Sequence, residues 1–370
     1  MKDISLVVLS AGDSNRFGKY PKKQWIRTGD DPLWLYVAKR LSKFYDFDKI
    51  VIVVCQDELK YSSNFTEKFS FVVGGNTRKD SVLNAIKTLK TKFVMVTDVA
   101  RCCITKKVID KIIENKQKAD CITPVLDVTD TVTLDRNIIN RDDVKLIQTP
   151  QLSKLSLLQK ALMTKNSFTD DSSAIKAVEG SVYYTKGSSK SIKLTTKTDK
   201  KKLKCLKKPS KKTFIGFGYD IHQFEINKPM YLGGVKFDED FGFKAHSDGD
   251  VLIHSLIDAI LGSIGAGDIG EFFPDNDKKY KNISSVKLLE YIRDFAYGVG
   301  YEIINIDITI VAQKPKITPK KDIIKENLSN ILNLKKRYIN IKATTNEKMD
   351  SIGQNKAVCV YSVVSARFRK

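Results

Sequence analysis

Three short runs of β-branched and apolar residues, Ile4 to Leu9, Ile50 to Val54 and Phe93 to Val96, are separated by segments of helical period in the first half of the chain. Runs of that length, bounded by turn residues, suit strands buried on both faces. Their alternation with helices predicts a mostly parallel sheet covered on both sides, with ligands bound beyond the carboxyl ends of the strands. The first strand end reads Ser10-Ala11-Gly12-Asp13-Ser14-Asn15-Arg16-Phe17-Gly18, followed by Lys22-Lys23-Gln24. A loop containing glycine there can present backbone N–H groups to phosphates, and Arg16 and Lys23 add positive charge where a pentavalent phosphoryl centre develops. The second piece is Gly74-Gly75-Asn76-Thr77-Arg78-Lys79-Asp80-Ser81, which opens a helical pattern and exposes bare backbone to a base or ribose. Asp98 ends the third strand and is placed to hold Mg²⁺ for a triphosphate. Taken singly, turn glycines, an N-cap or a surface ion pair would explain each piece.

At 370 residues the chain predicts about two domains, each able to bury a core. A formal net charge of +21 implies anionic partners: phosphorylated small molecules, nucleic acid or a membrane surface. The lysines are scattered and not interleaved with aromatic residues, so most read as solvated surface; neither a nucleic-acid nor a membrane partner is expected. Cys55, Cys102, Cys103, Cys121, Cys205 and Cys359 show no CxxC spacing, which predicts reduced thiols in a cytoplasmic protein. Neither a signal peptide nor a membrane-spanning segment is expected from the sequence. Lys197 to Lys212 is a lysine run with no apolar period long enough for a core element, and it reads as a solvated join between two modules.

Beyond the join, Phe214 to Asp268 contains all three histidines, His222, His246 and His254. Asp220 and His222 are two apart and share one face of an extended strand. His254 and Asp258 share a helix face. One carboxylate with two imidazoles leaves an open coordination position, as in a catalytic zinc site; non-haem Fe(II) uses the same donor set.

The pieces of the first half, in their order, resemble the 2-C-methyl-D-erythritol 4-phosphate cytidylyltransferase family over residues 1 to about 205. That resemblance implies a Rossmann-like α/β nucleotidyltransferase domain. It assigns Arg16 and Lys23 to the transition state, Ala11 and Gly12 to the phosphate loop, Asp98 to Mg²⁺, and Gly74, Gly75, Asp80 and Ser81 to the cytidine. It also implies a helper pair reaching from the neighbouring subunit of a dimer, carried here by Arg141 and Lys193, with Arg136 competing for the role of Arg141. Ser14, Thr97 and Cys102 stand where the family has glycine, histidine and proline.

From Phe214 onward the motifs Gly218-Tyr219-Asp220-Ile221-His222, Ala245-His246-Ser247-Asp248-Gly249-Asp250, Gly267-Asp268-Ile269-Gly270, Ala312-Gln313-Lys314-Pro315-Lys316 and Ala343-Thr344-Thr345-Asn346-Glu347-Lys348 arrive in fixed order. Together they resemble the 2-C-methyl-D-erythritol 2,4-cyclodiphosphate synthase family, which implies an α+β domain. By that resemblance Asp220, His222 and His254 bind Zn²⁺ or another divalent metal, and His246 and Ser247 contact substrate phosphate. Asp268 meets the methylerythritol hydroxyls, Glu347 holds a second Mg²⁺, Thr344 and Thr345 lie at the phosphates, and Ala312 to Lys316 lie at the cytosine. Asp258 is expected to orient the site's polar groups. Ser351 and Gln354 depart from the phenylalanine and arginine frequent in the family, which argues against an isoprenoid diphosphate in the central cavity.

The expectation is therefore a bifunctional enzyme: residues 1–207 transferring CMP from CTP to methylerythritol phosphate, a linker at 208–212, and residues 213–370 cyclising the later cytidylyl intermediate with loss of CMP. A dimeric first domain and a trimeric second would combine as a D3 hexamer. Two other readings are a working cyclase carried on a degenerate, purely oligomerising amino-terminal half, and a basic nucleic-acid-binding protein.

Overall fold

The computed structural model describes residues 2–14, 16–245, 247–274, 276–280 and 283–369. His246 therefore lies outside the described residues. The chain divides into two compact units, residues 1–208 and 209–370.

The first unit is built on an eight-stranded sheet. Strands Ser70–Val73, Ile50–Val54, Ile4–Leu9 and Phe93–Asp98 lie side by side and parallel. Ile4, Leu6, Val7 and Val8 are completely buried, as a strand covered on both faces requires. The remaining strands make the sheet mixed: Gln151–Lys154 runs antiparallel between Phe93–Asp98 and Cys121–Asp127, and Val182–Lys186 adds parallel to Cys121–Asp127. Register fixes the site, because Leu9 pairs with Val53 on one side and with Asp98 on the other. The loop after Leu9 and the carboxylate of Asp98 therefore emerge at the same end of the sheet.

Two expectations fail in this unit. Cys103 and Cys205 are joined by a disulfide, whereas only reduced thiols were expected. Sequence spacing reports nearness only within local motifs, and these two cysteines are 102 residues apart. The lysine run is also not wholly a solvated join. Thr196 and Asp199 form a capping box that starts the short helical turn Lys197–Lys202, and Leu203 behind it is buried. Lys207 N–H donates to Thr28 Oγ1 at 2.8 Å, so the segment packs on the first unit up to residue 208.

In the second unit a five-stranded sheet has the order Phe241–Phe243, Thr213–Ile226, Ala357–Phe368, Tyr301–Val311, Ile339–Thr344. Helix Val251–Ile264 lies on one face. Gly216 and Gly218 make that packing possible: a Cβ on Gly216 would stand 2.0 Å from Ala259 O, and one on Gly218 1.9 Å from Ser255 O. Strand alternation puts Gly216, Gly218, Asp220 and His222 on this helix-facing side. Ile215, Phe217, Tyr219 and Ile221 point the other way and are exposed, together with Tyr361 and Val363 of the neighbouring strand. No helix among the described residues is long and apolar enough to cross a membrane.

Candidate active sites

At the strand ends of the first unit, the loop after Leu9, the turn at Gly75 and Asp98 enclose a cavity of about 670 Å³. Ser14 has a left-handed φ of 61°, the conformation that glycine adopts most easily, so the serine standing in the family's glycine position keeps the loop's turn. Its hydroxyl accepts from Lys23 N–H at 3.0 Å, which ties the two ends of the loop together. Helix Arg78–Ile86 begins at a capping box in which Thr77 and Asp80 exchange hydrogen bonds. Asp80 is thus engaged in the cap and does not line the cavity. Ser81 does, and its hydroxyl accepts from Gly75 N–H at 3.1 Å. Gly74 packs where a Cβ would stand 2.6 Å from that of Ala11.

Asp98 is the electrostatic centre of this cavity. Lys193 Nζ lies 2.7 Å from Oδ2 and Arg78 Nε 3.7 Å from Oδ1. Arg78 also pairs at 2.8 Å with Asp171, which is fully buried. Burial works against ionisation of Asp98, but Arg78 and Lys193, with Arg101 behind them, outweigh it and hold its pKa below the ordinary value. Lys23 is shifted down by burial and then by the neighbouring charges of Lys193 and Arg16.

Lys193 differs from the expectation that it reaches in from a neighbouring subunit with Arg141. It stands in the cavity of its own chain, because the segment after Val182–Lys186 turns back across the sheet end. Arg101 donates to Ser191 O at 2.7 Å, and Leu194, completely buried, donates to Ala100 O at 2.8 Å. Arg141 is elsewhere, donating to Thr129 O on an exposed arm, and it lines no part of this cavity. The Arg78–Asp171 pair joins residues 93 apart, a separation that local spacing does not report.

In the second unit, Asp220, His222 and His254 bring one ligand atom each to within 4.8 Å of one another. His222 Nδ1 is 3.0 Å, and His254 Nδ1 3.3 Å, from Asp220 Oδ2. Asp220 Oδ2 and His222 Nδ1 are buried yet make no well-formed hydrogen bond. Buried polar atoms converging on one point without pairing fit a divalent cation, and this nitrogen and oxygen set suits zinc chemistry. Burial opposes ionisation of Asp220, but His222 and His254 overcome it and hold its pKa at about 2.

His254 is oriented by Ser247 and by Ser285, the second of which the sequence did not disclose. Its Nε2 lies 3.0 Å from Ser285 Oγ and 3.2 Å from Ser247 Oγ. Ser285 Oγ donates to Asp248, whose other carboxylate oxygen accepts Ser285 N–H at 2.9 Å. With its proton committed to Asp248, Ser285 Oγ accepts from Nε2–H, which leaves the Nδ1 lone pair facing Asp220. Asp250, also fully buried, accepts from Gly233, Gly234 and Ile253 N–H and seats the start of the helix that carries His254.

A cavity of about 440 Å³ opens beside the triad, lined also by Ser247, Asp258 and Lys244. Asp258 accepts from Ile269 N–H at 2.8 Å, holding the following loop. Asp268, just outside the lining, caps the turn by accepting from Glu271 N–H. Ala312, Lys316, Thr344, Thr345 and Glu347 are not brought to this cavity. Ile221, Cys359, Val311 and Thr344 stand in one row across the sheet, so Thr344 is three strand spacings, roughly 14 Å, from Ile221. Thr345 Oγ1 donates to Glu347 Oε1 at 2.7 Å on an exposed turn.

A cavity at the ends of parallel strands around the carboxylate of Asp98, followed by an aspartate–histidine cluster in an α+β unit, fits a nucleotidyltransferase joined to an enzyme with a divalent-metal donor set. Residues 4–204 match the 2-C-methyl-D-erythritol 4-phosphate cytidylyltransferase family and residues 213–367 the YgbB family. The chain is 54% identical over 368 residues to the bifunctional enzyme IspD/IspF of Aliarcobacter butzleri, covering 100% of this chain and 98% of that protein. It is 48% identical to the same enzyme of Campylobacter concisus, with the same coverage. The solved structure of the bifunctional IspDF from Campylobacter jejuni superposes with a TM-score of 0.89 at 47% identity, covering 99% of both chains. The chain belongs to the bifunctional IspD/IspF family of isoprenoid biosynthesis, with a cytidylyltransferase domain and a cyclodiphosphate synthase domain. Nothing in these comparisons supports a degenerate amino-terminal half or a nucleic-acid-binding protein.

Proposed function

We propose that the two cavities are the two active sites and that their residues divide the work as follows. In the first, a phosphate oxygen of methylerythritol phosphate attacks the α-phosphorus of CTP and pyrophosphate leaves. Arg16 and Lys23 hold the charge that builds on the pentavalent centre, and the backbone at Ala11, Gly12 and Gly75 follows the phosphates. Asp98 is the carboxylate for Mg²⁺, kept ionised by Arg78 and Lys193. Lys193 acts within its own chain, and Arg141 serves a neighbouring copy from its exposed arm.

In the second, the 2-phosphate of the cytidylyl intermediate attacks the β-phosphorus and CMP leaves. Asp220, His222 and His254 would hold Zn²⁺, which supplies Lewis-acid stabilisation of the attacked phosphate. Ser247 binds phosphate beside them, His246 keeps the phosphate role that the family resemblance implies, and Lys244 adds positive charge at the cavity wall. Thr344, Thr345, Glu347 with its Mg²⁺, and the Ala312–Lys316 backbone complete the site from a neighbouring copy. The active site then lies between subunits of the proposed trimer. With a dimeric first domain the whole is a hexamer, working in the cytoplasm.

The observation that carries this reading is the convergence of Asp220 Oδ2, His222 Nδ1 and His254 Nδ1 without hydrogen-bond pairing between the first two. Equilibrium dialysis against zinc tests it. One tightly held ion per chain is expected, lost in H222A together with cyclisation while CMP transfer continues. Retention of the ion in H222A would refute the assignment.

A further inference from the structure

Three cysteines meet behind the loop that carries Asp98. The sulfur atoms of Cys102, Cys103 and Cys205 lie within 4.8 Å of one another, and Cys103 is bonded to Cys205. Neither phosphoryl reaction needs a thiol, so the cluster has no part in the chemistry already described.

What the bond joins gives it a consequence. Cys103 closes the loop that begins at Asp98, in which Arg101 N–H donates to Asp98 O at 3.0 Å. Cys205 ends the strap that begins near Ser191. That strap meets the loop through Lys193, at 2.7 Å from Asp98, and through Leu194 at Ala100 O. It then runs through the buried Leu203 to Cys205, whose carbonyl accepts from Tyr36 Oη at 3.0 Å. Loop and strap are therefore held together at the Lys193 end by an ion pair and a backbone bond, and at the other end by sulfur.

We propose that Cys103 and Cys205 form a reversible redox site that clamps the Lys193 strap onto the Asp98 loop and thereby tunes the cytidylyl-transfer site alone. The proposal rests on reading Asp98 and Lys193 as parts of that site. Closure takes place by exchange with a low-molecular-weight disulfide. The thiolate of Cys205, the less buried partner, attacks one sulfur of the reagent and one thiol leaves. The Cys103 thiolate then attacks the Cys205 sulfur of the mixed disulfide and expels the second thiol. One protein dithiol and one reagent disulfide become one protein disulfide and two reagent thiols, with two electrons passing to the reagent. Cys102 stays out of the exchange, because burial pushes its thiol up to about 12 and leaves little thiolate.

The test uses the full-length protein equilibrated with oxidised or reduced glutathione, then alkylated and read by mass. Oxidised protein should show four alkylated cysteines and a linked Cys103–Cys205 peptide, and reduced protein all six. On reduction the first melting transition should fall by roughly 5 °C, because a closure spanning about a hundred residues is lost. The KM of CMP transfer should rise several-fold with cyclisation unchanged, and C205S should give the reduced values in both buffers. If C205S does not fold, the two states of the unaltered protein still decide. Six alkylated cysteines in both buffers, a link that fragment ions map to Cys102 with Cys103 alkylated, zinc bound stoichiometrically to the three thiols, or equal KM values in the two states would each overturn the proposal. Absence of transfer in both states would instead count against the assignment of the site, while the thiol count would still report on the bond.

Discussion

Single atoms set the chemistry at both sites. Lys23 is held below the ordinary lysine value by burial and by Lys193 and Arg16, so its charged form is lost sooner than that of a free lysine as pH rises. The alkaline limb of kcat/KM for CMP transfer should therefore fall below the usual lysine range. K23R, which does not titrate there, should move that limb upward whatever rate it retains; a pH profile of the two proteins checks this. In the second site, Ser285 passes the orientation set by Asp248 to His254. S285A should weaken zinc binding by roughly 10- to 100-fold, read by competition with a chromophoric chelator, without unfolding the unit. The convergence of Asp220 with His222 was legible because the two are two apart on one strand. Ser285 was not, since it lies 31 residues from His254 and no local spacing joins them.

At the scale of elements, the glycines decide where Asp220, His222 and His254 converge. Gly216 and Gly218 let helix Val251–Ile264 settle on the strand closely enough to bring His254 to Asp220. In G218A the added Cβ meets the backbone at Ser255 O, which cannot move alone. The cost should be about 1–3 kcal/mol in denaturant unfolding, accompanied by loss of zinc affinity. The parallel core of the first unit was readable from its β-branched runs. The antiparallel strands were less so, and the mixed sheet follows from pairings such as Leu152 with Met95 and with Ile122. The packed turn within the lysine run escaped a reading based on composition, because it rests on one capping box and a single buried leucine, Leu203.

At the scale of the whole molecule, the second unit exposes Ile215, Phe217, Tyr219 and Ile221 on the sheet face away from its helices. The proposed trimer would cover such a face and would bring a second copy's Thr344 to the Asp220–His222–His254 cluster. F217E should break the proposed assembly, seen by sedimentation, and abolish cyclisation because the site would lose its second wall. The net charge of +21 was informative about anionic substrates, but long-range joins such as Cys103 to Cys205 lie beyond what composition or spacing can express.

The central claim is that one chain carries two chemically independent sites. Both half-reactions should be assayed on the intact protein and on D98A and H254A. D98A is expected to lose pyrophosphate release from CTP and methylerythritol phosphate while keeping cyclisation, and H254A to do the reverse. Loss of both activities in either folded single variant would contradict it.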